Sequence, residues 1–113
     1  MEVSFANSKL QKLCNSDKKL RGKYSQKMAE IIKQRISELA NVDTLEIMRT
    51  IPAANCHELT QNFKGCLAVN LIQPDRLTFE PADKPIPRKP DGGLDWKHVR
   101  SIEIIGIGNY HGK

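Results

Sequence analysis

Cysteine is scarce in this sequence, and its few thiols are not spaced for cross-linking. Cys14, Cys56 and Cys66 are odd in number and form no C-x-x-C pair. A disulfide framework needs paired cysteines, and a structural zinc site needs closely spaced ligands. We therefore expect three free thiols in a reducing compartment and no metal site.

Long hydrophobic runs are missing as well, and the first residues carry no basic leader. The chain begins Met1-Glu2-Val3-Ser4, and no window approaches the length of a membrane span. We therefore expect a cytoplasmic protein with no membrane segment. The 113 residues fit one domain, which is long enough to bury a core without disulfides or metal.

Negative charge is in the minority. Thirteen Asp and Glu are set against 18 Lys and Arg, which leaves a formal net charge of +5. This balance favours an anionic partner, which can be a nucleic acid, an acidic protein or an anionic membrane surface.

The N-terminal half of the chain predicts one strand followed by helices. Residues 2–6 alternate apolar and polar side chains, as a short strand does. Asn7 or Ser8 can cap a short helix, and Asn15 or Ser16 can cap a second, longer one. In the longer helix, apolar residues recur at steps of three and four over roughly five turns: Leu20, Tyr24, Met28, Ile31, Ile32, Ile36 and Leu39.

The remaining surface of the long helix is rich in positive charge. Charge on a helix most often marks a solvated face, and a surface that steers toward RNA or an acidic partner is the alternative. Asn41 suits the end of this helix. A further turn or two is expected within 43–48, and 51–54 is expected to be extended. The charged residues are Lys18, Lys19, Arg21, Lys23, Lys27, Lys33 and Arg35.

Residues 56–82 contain the strongest strand pattern of the chain. Apolar side chains at every second position of 67–71 predict a strand with one face in the core. The Gln-Pro-Asp sequence at 73–75 supplies a turn. The result is a hairpin whose return strand begins at Arg76, on the polar face beside the turn.

Three side chains of this stretch carry the chemistry. His57 starts a strand at its head, Lys64 lies in a basic turn, and Arg76 opens the return strand. One imidazole and two cations on a small sheet can grip a phosphate and act on it.

Residues 81–99 are a proline-rich loop insertion. Four prolines and two adjacent glycines in 81–93 exclude a central strand or a regular helix, so we expect an exposed loop there. Residues 94–99 are expected to pack this loop back on the body. The last strand, 100–107, is rich in Ile, which predicts burial on both faces.

The order of these elements is one strand, two or three helices and three strands. It predicts an α+β fold in a single domain, 1–113, with the N-terminal helices packed on one face of a small, mostly antiparallel sheet.

Four short motifs resemble, in order, those of HigB-type toxins, a branch of the RelE/ParE superfamily from bacterial type II toxin–antitoxin systems. They are His57-Glu58-Leu59, Phe63-Lys64-Gly65, Asp75-Arg76-Leu77 and Asn109-Tyr110-His111. The resemblance covers nearly the whole chain outside the proline-rich loop. It implies a RelE-like fold with helices on one side of a compact sheet and an active site on its concave, basic face.

The resemblance implies an mRNA interferase, an endoribonuclease that cuts mRNA on the ribosome without metal or cofactor and that a cognate antitoxin binds and holds inactive. Cleavage by the 2′-hydroxyl of the RNA needs a base, an acid and cations for the phosphate. The residues assigned in this way are His57, Arg76, His111 and Tyr110 for catalysis, with base stacking as the simpler role of Tyr110, and Lys64, Asn109 and Thr60 for RNA binding.

Two positions depart from the family pattern. These toxins commonly have Lys in place of Thr60 and Asp in place of Asn109, so a weakened enzyme or a mere binding module is one alternative. A ParE-like toxin that binds DNA gyrase without catalysis is another. The nuclease predicts that His57, Arg76 and His111 converge on one face, whereas the gyrase-binding toxin requires no such convergence.

Overall fold

Five strands form one sheet, and most of its strand pairs are antiparallel. The computed structural model describes residues 1–109. The strands are β1 (Glu2–Phe5), β2 (His57–Glu58), β3 (Leu67–Asn70), β4 (Arg76–Pro81) and β5 (Ser101–Gly108). Only β1 and β5 pair in parallel, and the other three pairs of the described sheet are antiparallel, in the order β1-β5-β4-β3-β2.

Three helices follow β1, and together with the sheet they confirm the predicted α+β class. Each helix has an N-cap residue whose side chain accepts a hydrogen bond from a free backbone N–H of the first turn. The caps are Asn7, Ser16 and Ser25, in chain order. Short 3₁₀ helices occupy Leu45–Thr50, Pro52–Ala54, Gln61–Phe63 and Trp96–His98. The helices are α1 (Ser8–Cys14), α2 (Asp17–Lys23) and α3 (Gln26–Asn41).

The core lies between the helices and one face of the sheet. Apolar residues of α2 and α3 form a single buried cluster with alternate residues of β3, β4 and β5. Phe79, in the centre of β4, is the largest fully buried side chain. Among the residues described, no helix combines the length and the hydrophobicity needed to cross a membrane.

The prediction of one long second helix is wrong, because the chain breaks at Tyr24 and Ser25. Both residues have extended backbone, and the Ser25 hydroxyl accepts a hydrogen bond from the Met28 N–H at 3.0 Å, which starts α3 afresh. The apolar period continues across the break because both helices bury their faces in the same core.

Arg35 was expected on a solvated surface, yet it is only 5% exposed. Its Nε donates to the carbonyl of Asn70 at 2.8 Å and its Nη2 to the carbonyl of Ala53 at 3.1 Å. Its Nη1 forms an ion pair with Glu38 at 3.1 Å. The guanidinium is buried because its donors are matched to acceptors on three segments.

Three smaller expectations also fail. Residues 51–54 include the 3₁₀ turn rather than an extended strand lead. Pro81 is not in a loop but is the buried last residue of β4, where a missing N–H removes at most one ladder bond. Ile105 and Ile107 are only half-buried because β1 pairs with β5 no further than Ile104.

Candidate functional site on the sheet

One row of residues crosses the sheet on the face opposite the helices. His57 pairs with Ala68, Ala68 with Thr78, and Thr78 with Gly106. Directly paired residues of antiparallel strands share a face, and the alternate residues of β3 and β4 belong to the core. The row therefore has one large side chain, the imidazole on β2, followed by three small residues.

A second row lies one step closer to the β3–β4 turn and brings a cation beside the imidazole. Arg76 pairs with Asn70 on one side and with Gly108 on the other. Its Nη1 lies 3.5 Å from Nε2 of His57. The structure thus brings two of the predicted catalytic residues together, although 19 positions separate them in the sequence.

The His57 ring is oriented by the backbone just before β2. Nδ1 lies 2.7 Å from the carbonyl oxygen of Asn55, which can only accept, so Nδ1 carries the proton. Asn55 has left-handed backbone, with φ 45° and ψ 53°, a conformation that Asn adopts more readily than most residues. Nε2 is then the nitrogen that accepts from Arg76, and its lone pair lies on the Arg76 side.

Arg76 and Thr78 are both largely removed from water. They are 9% and 3% exposed, respectively. The hydroxyl of Thr78 is buried and has no hydrogen-bond partner among the described residues. A buried hydroxyl without a partner is uncommon in folded proteins. The alternation of β4 placed Thr78 on the face of Arg76, but no sequence signal indicated that its hydroxyl is unpaired.

Asn55 is the second contributor that sequence reasoning missed. Its carbonyl orients the imidazole, so its role depends on backbone geometry and not on its side chain. The one available signal was the tolerance of Asn for left-handed backbone, directly after the segment 51–54 that was expected to be extended.

Lys64 and Thr60 lie away from the His57–Arg76 pair. Lys64 precedes the start of β3, whereas Arg76 pairs with Asn70 at the end of that strand. Lys64 lines a separate cleft of about 470 Å³ together with Glu80 and others. Thr60 precedes the 3₁₀ turn, and its carbonyl, not its hydroxyl, accepts from Phe63.

Asn109 follows Gly108, the residue that pairs with Arg76, and is exposed. It therefore lies at the Arg76 end of the sheet. Tyr110 and His111, which the sequence assigns to catalysis, lie outside the described residues. His98 occupies an exposed 3₁₀ turn and bonds Asp95 at 2.7 Å through Nδ1.

Charge on this face changes sign along the strands. Arg76 lies at one end, while Glu80 and Glu103 are direct cross-strand partners at the other.

Cys56 directly precedes His57 in the chain. Burial raises the pKa of the Cys56 thiol to about 12, which makes it a poor nucleophile at neutral pH.

The local chemistry is thus a proton acceptor beside a guanidinium. Within residues 1–109, no group of three or more His, Cys, Asp or Glu side chains is placed to hold a metal ion. Comparisons of the chain with protein-family models, with curated protein sequences and with solved structures find no match.

Proposed function

We propose that this chain is the toxin of a bacterial type II toxin–antitoxin system and cleaves mRNA on the ribosome without a metal ion. The observation that carries the proposal is the contact of 3.5 Å between His57 Nε2 and Arg76 Nη1. It combines a proton acceptor with the side chain best suited to phosphate on one face of a sheet. The four HigB-type motifs and the order of strands and helices support a RelE-like arrangement.

In the proposed reaction, the substrate phosphate takes over the guanidinium of Arg76. This releases the lone pair of His57 Nε2, which then accepts the proton of an RNA 2′-hydroxyl. The 2′-oxygen attacks the adjacent phosphorus while the planar fork of Arg76 stabilises the charge on the non-bridging oxygens. The bond from phosphorus to the 5′-oxygen breaks, and His111 is assigned the proton that this leaving oxygen takes up. The products are a 2′,3′-cyclic phosphate and a 5′-hydroxyl.

The other assigned residues bind RNA in this proposal. Asn109 contacts the nucleotides nearest Arg76, and Tyr110 stacks on a base. Lys64 and Thr60 contact phosphates further along the RNA, since both residues precede the start of β3 and Arg76 lies beside its end. A cognate antitoxin neutralises the toxin in the cytoplasm.

The test is primer extension on an mRNA that is being translated in a bacterial extract. The wild-type chain, His57→Ala and His111→Ala are compared with His98→Ala as a matched control, because His98 is exposed and its ring nitrogen contacts only Asp95 among the described residues. We expect ribosome-dependent cuts with the wild type and His98→Ala. A loss of about a hundredfold or more is expected for the other two variants.

One result would overturn the nuclease, and another would overturn the assignment of His57. One is an intact mRNA at a wild-type dose that still arrests growth, and a gyrase supercoiling assay on the same preparation then tests the ParE-like alternative. The other is cleavage by His57→Ala at the wild-type rate, which would remove His57 from the reaction.

A further inference from the structure

The N-terminal segment, in which α1 and α2 form a groove, holds most of the unbalanced positive charge of the chain. Residues 1–24 contain six Lys or Arg and two Asp or Glu, a net formal charge of +4 out of +5 for the whole protein. The groove has a volume of about 730 Å³. Four of its lining residues are lysines: Lys9, Lys12, Lys19 and Lys23.

These four lysines are exposed, and none forms an ion pair with a carboxylate within residues 1–109. The one acidic residue of α2, Asp17, is occupied by Arg21 at 2.8 Å and Lys33 at 2.6 Å. Like charges three or four residues apart destabilise a helix, and Lys19 and Lys23 on α2 are such a pair. Apart from a cation–π contact of Lys23 with the Tyr24 ring at 5.9 Å, no favourable contact offsets this repulsion among the described residues.

The floor of the groove is apolar. Leu10 and Leu13 of α1 and Ile105 of β5 line it and are only half-buried. Apolar side chains below and ammonium groups at the rim fit an occupant that has one apolar side and one acidic side. A nucleic-acid backbone would match the rim but would leave the floor uncovered.

Gly22 provides an independent observation. It lies in the last turn of α2 and has no positive φ, so its backbone does not require glycine. A Cβ built there would meet nothing within 4 Å, so the fold of this chain does not require glycine for space either. Glycine within a helix is less stable than alanine by roughly 0.5–1 kcal/mol. Because Gly22 has no side chain, the backbone of a bound partner can come close to this wall of the groove.

We infer that the groove binds an acidic amphipathic helix of a partner protein. Apolar side chains of that helix would rest on Leu10, Leu13 and Ile105, its backbone would approach Gly22, and its carboxylates would pair with the rim lysines. α2 is about 10 Å long, which matches roughly two turns of a bound helix. The inference does not rest on the proposed nuclease, because the groove includes neither His57 nor Arg76.

The experiment is a titration of the full ¹⁵N-labelled chain with an acetylated 16-residue helical peptide that has Leu at steps of three and four and Glu elsewhere. A peptide with the same Leu pattern and Lys in place of Glu is the matched probe. We expect the acidic peptide alone to shift the amide signals of Leu10, Gly22 and Ile105. Its affinity should fall at least about tenfold between 50 and 300 mM salt.

Two pairs of charge reversals locate the site. Lys12→Glu with Lys19→Glu should weaken binding at least about tenfold. Lys84→Glu with Lys97→Glu, an equal charge change at exposed positions outside the groove, should leave it unchanged. Gly22→Phe should block binding by occupying the open wall, and its amide spectrum reports whether the fold is retained.

The inference is overturned by any of three results. These are the absence of binding by the acidic peptide, equal weakening by both charge-reversal pairs, and preferential shifts of the same amides by a uridine oligonucleotide.

Discussion

The two cationic regions of this molecule hold their charges in opposite ways. Arg76 is 9% exposed and is fixed beside His57, whereas the four groove lysines are exposed and unpaired with carboxylates in the described part of the chain. A desolvated guanidinium in one geometry can orient a phosphate but contributes little at long range. Exposed ammonium groups attract a partner from a distance but do not fix its orientation. Net charge therefore points to the groove, while the candidate chemistry lies elsewhere.

The largest expected effect follows from removing the fixed charge. Arg76→Ala should reduce mRNA cleavage at least about a hundredfold and abolish growth arrest, because the guanidinium no longer stabilises the negative charge on the phosphate oxygens in the transition state. Arg76→Lys should recover little, since an ammonium group cannot bind two oxygens in one plane. Cleavage rates by primer extension and thermal unfolding by circular dichroism measure the two consequences separately.

Arg100→Ala is the matched control for this prediction, because Arg100 is exposed and its recorded contact with Asp83 uses only the backbone N–H. It should retain full activity. Full toxicity of a folded Arg76→Ala variant would contradict the site assignment. The difference between the buried Arg76 and the exposed groove lysines would then have no bearing on toxicity.

A smaller effect, on stability, is expected at Thr78. Thr78→Val should stabilise the fold by about 1–2 kcal/mol, because it removes a buried hydroxyl that has no partner among residues 1–109. Urea unfolding of the wild type, Thr78→Val and Thr78→Ser measures this effect. Serine keeps the hydroxyl and should show no gain, and a destabilised valine variant would mean that the hydroxyl is bonded in solution.

Gly22→Ala is the corresponding test in the groove. The backbone is helical and a Cβ has open space, so alanine should stabilise the isolated chain by about 0.5–1 kcal/mol. Gly65→Ala is the contrasting control, because φ of +95° there should make alanine unfavourable. Denaturant midpoints for both variants decide the point, and a destabilised Gly22→Ala would show that the chain itself needs this glycine.

The smallest effect at neutral pH concerns the thiols of Cys14 and Cys56. Burial raises the pKa of Cys14, at the end of α1, to about 11 and that of Cys56, before His57, to about 12, from an ordinary value of 9.0. The folded state therefore favours the neutral thiols. Their contribution to stability is fully present below pH 9 and is lost as the pH rises toward 11–12.

Urea midpoints between pH 7 and pH 11 measure this dependence. The double variant Cys14→Ala, Cys56→Ala should lose less stability over that interval than the wild type does. An identical decline in both proteins would assign the pH dependence to other groups.

Much of the fold was predictable because its signals are local. Each of the first two helix caps was narrowed to two neighbouring residues, and Asn7 and Ser16 are the ones that act as caps. The alternation in 67–71 and the turn at 73–75 predicted the β3–β4 hairpin. The break between α2 and α3 was missed because the apolar period continues through Tyr24. Only the hydroxyl of Ser25 marked a new start, and serine is also common within a surface helix.

The candidate site was predictable in composition but not in geometry. His57 and Arg76 could be named as phosphate-directed residues, but their proximity depends on the register of β2, β3 and β4. Lys64 belonged to the same motif set, yet it lies at the other end of β3. The order of motifs in a sequence does not determine the distances between their residues across a sheet. Those distances depend on the strand register, which is set by packing of the whole core.

The buried Arg35 gives the molecule a mechanical link between the helix α3 and the His57–Arg76 pair. One guanidinium holds α3, the carbonyl of Asn70 and the carbonyl of Ala53. Asn70 is the cross-strand partner of Arg76, and Ala53 lies two residues before the carbonyl that orients His57. A displacement of α3 would therefore be transmitted by a single side chain to both His57 and Arg76. A force applied to the helices would in this way alter the distance between the imidazole and the guanidinium on the opposite face of the sheet.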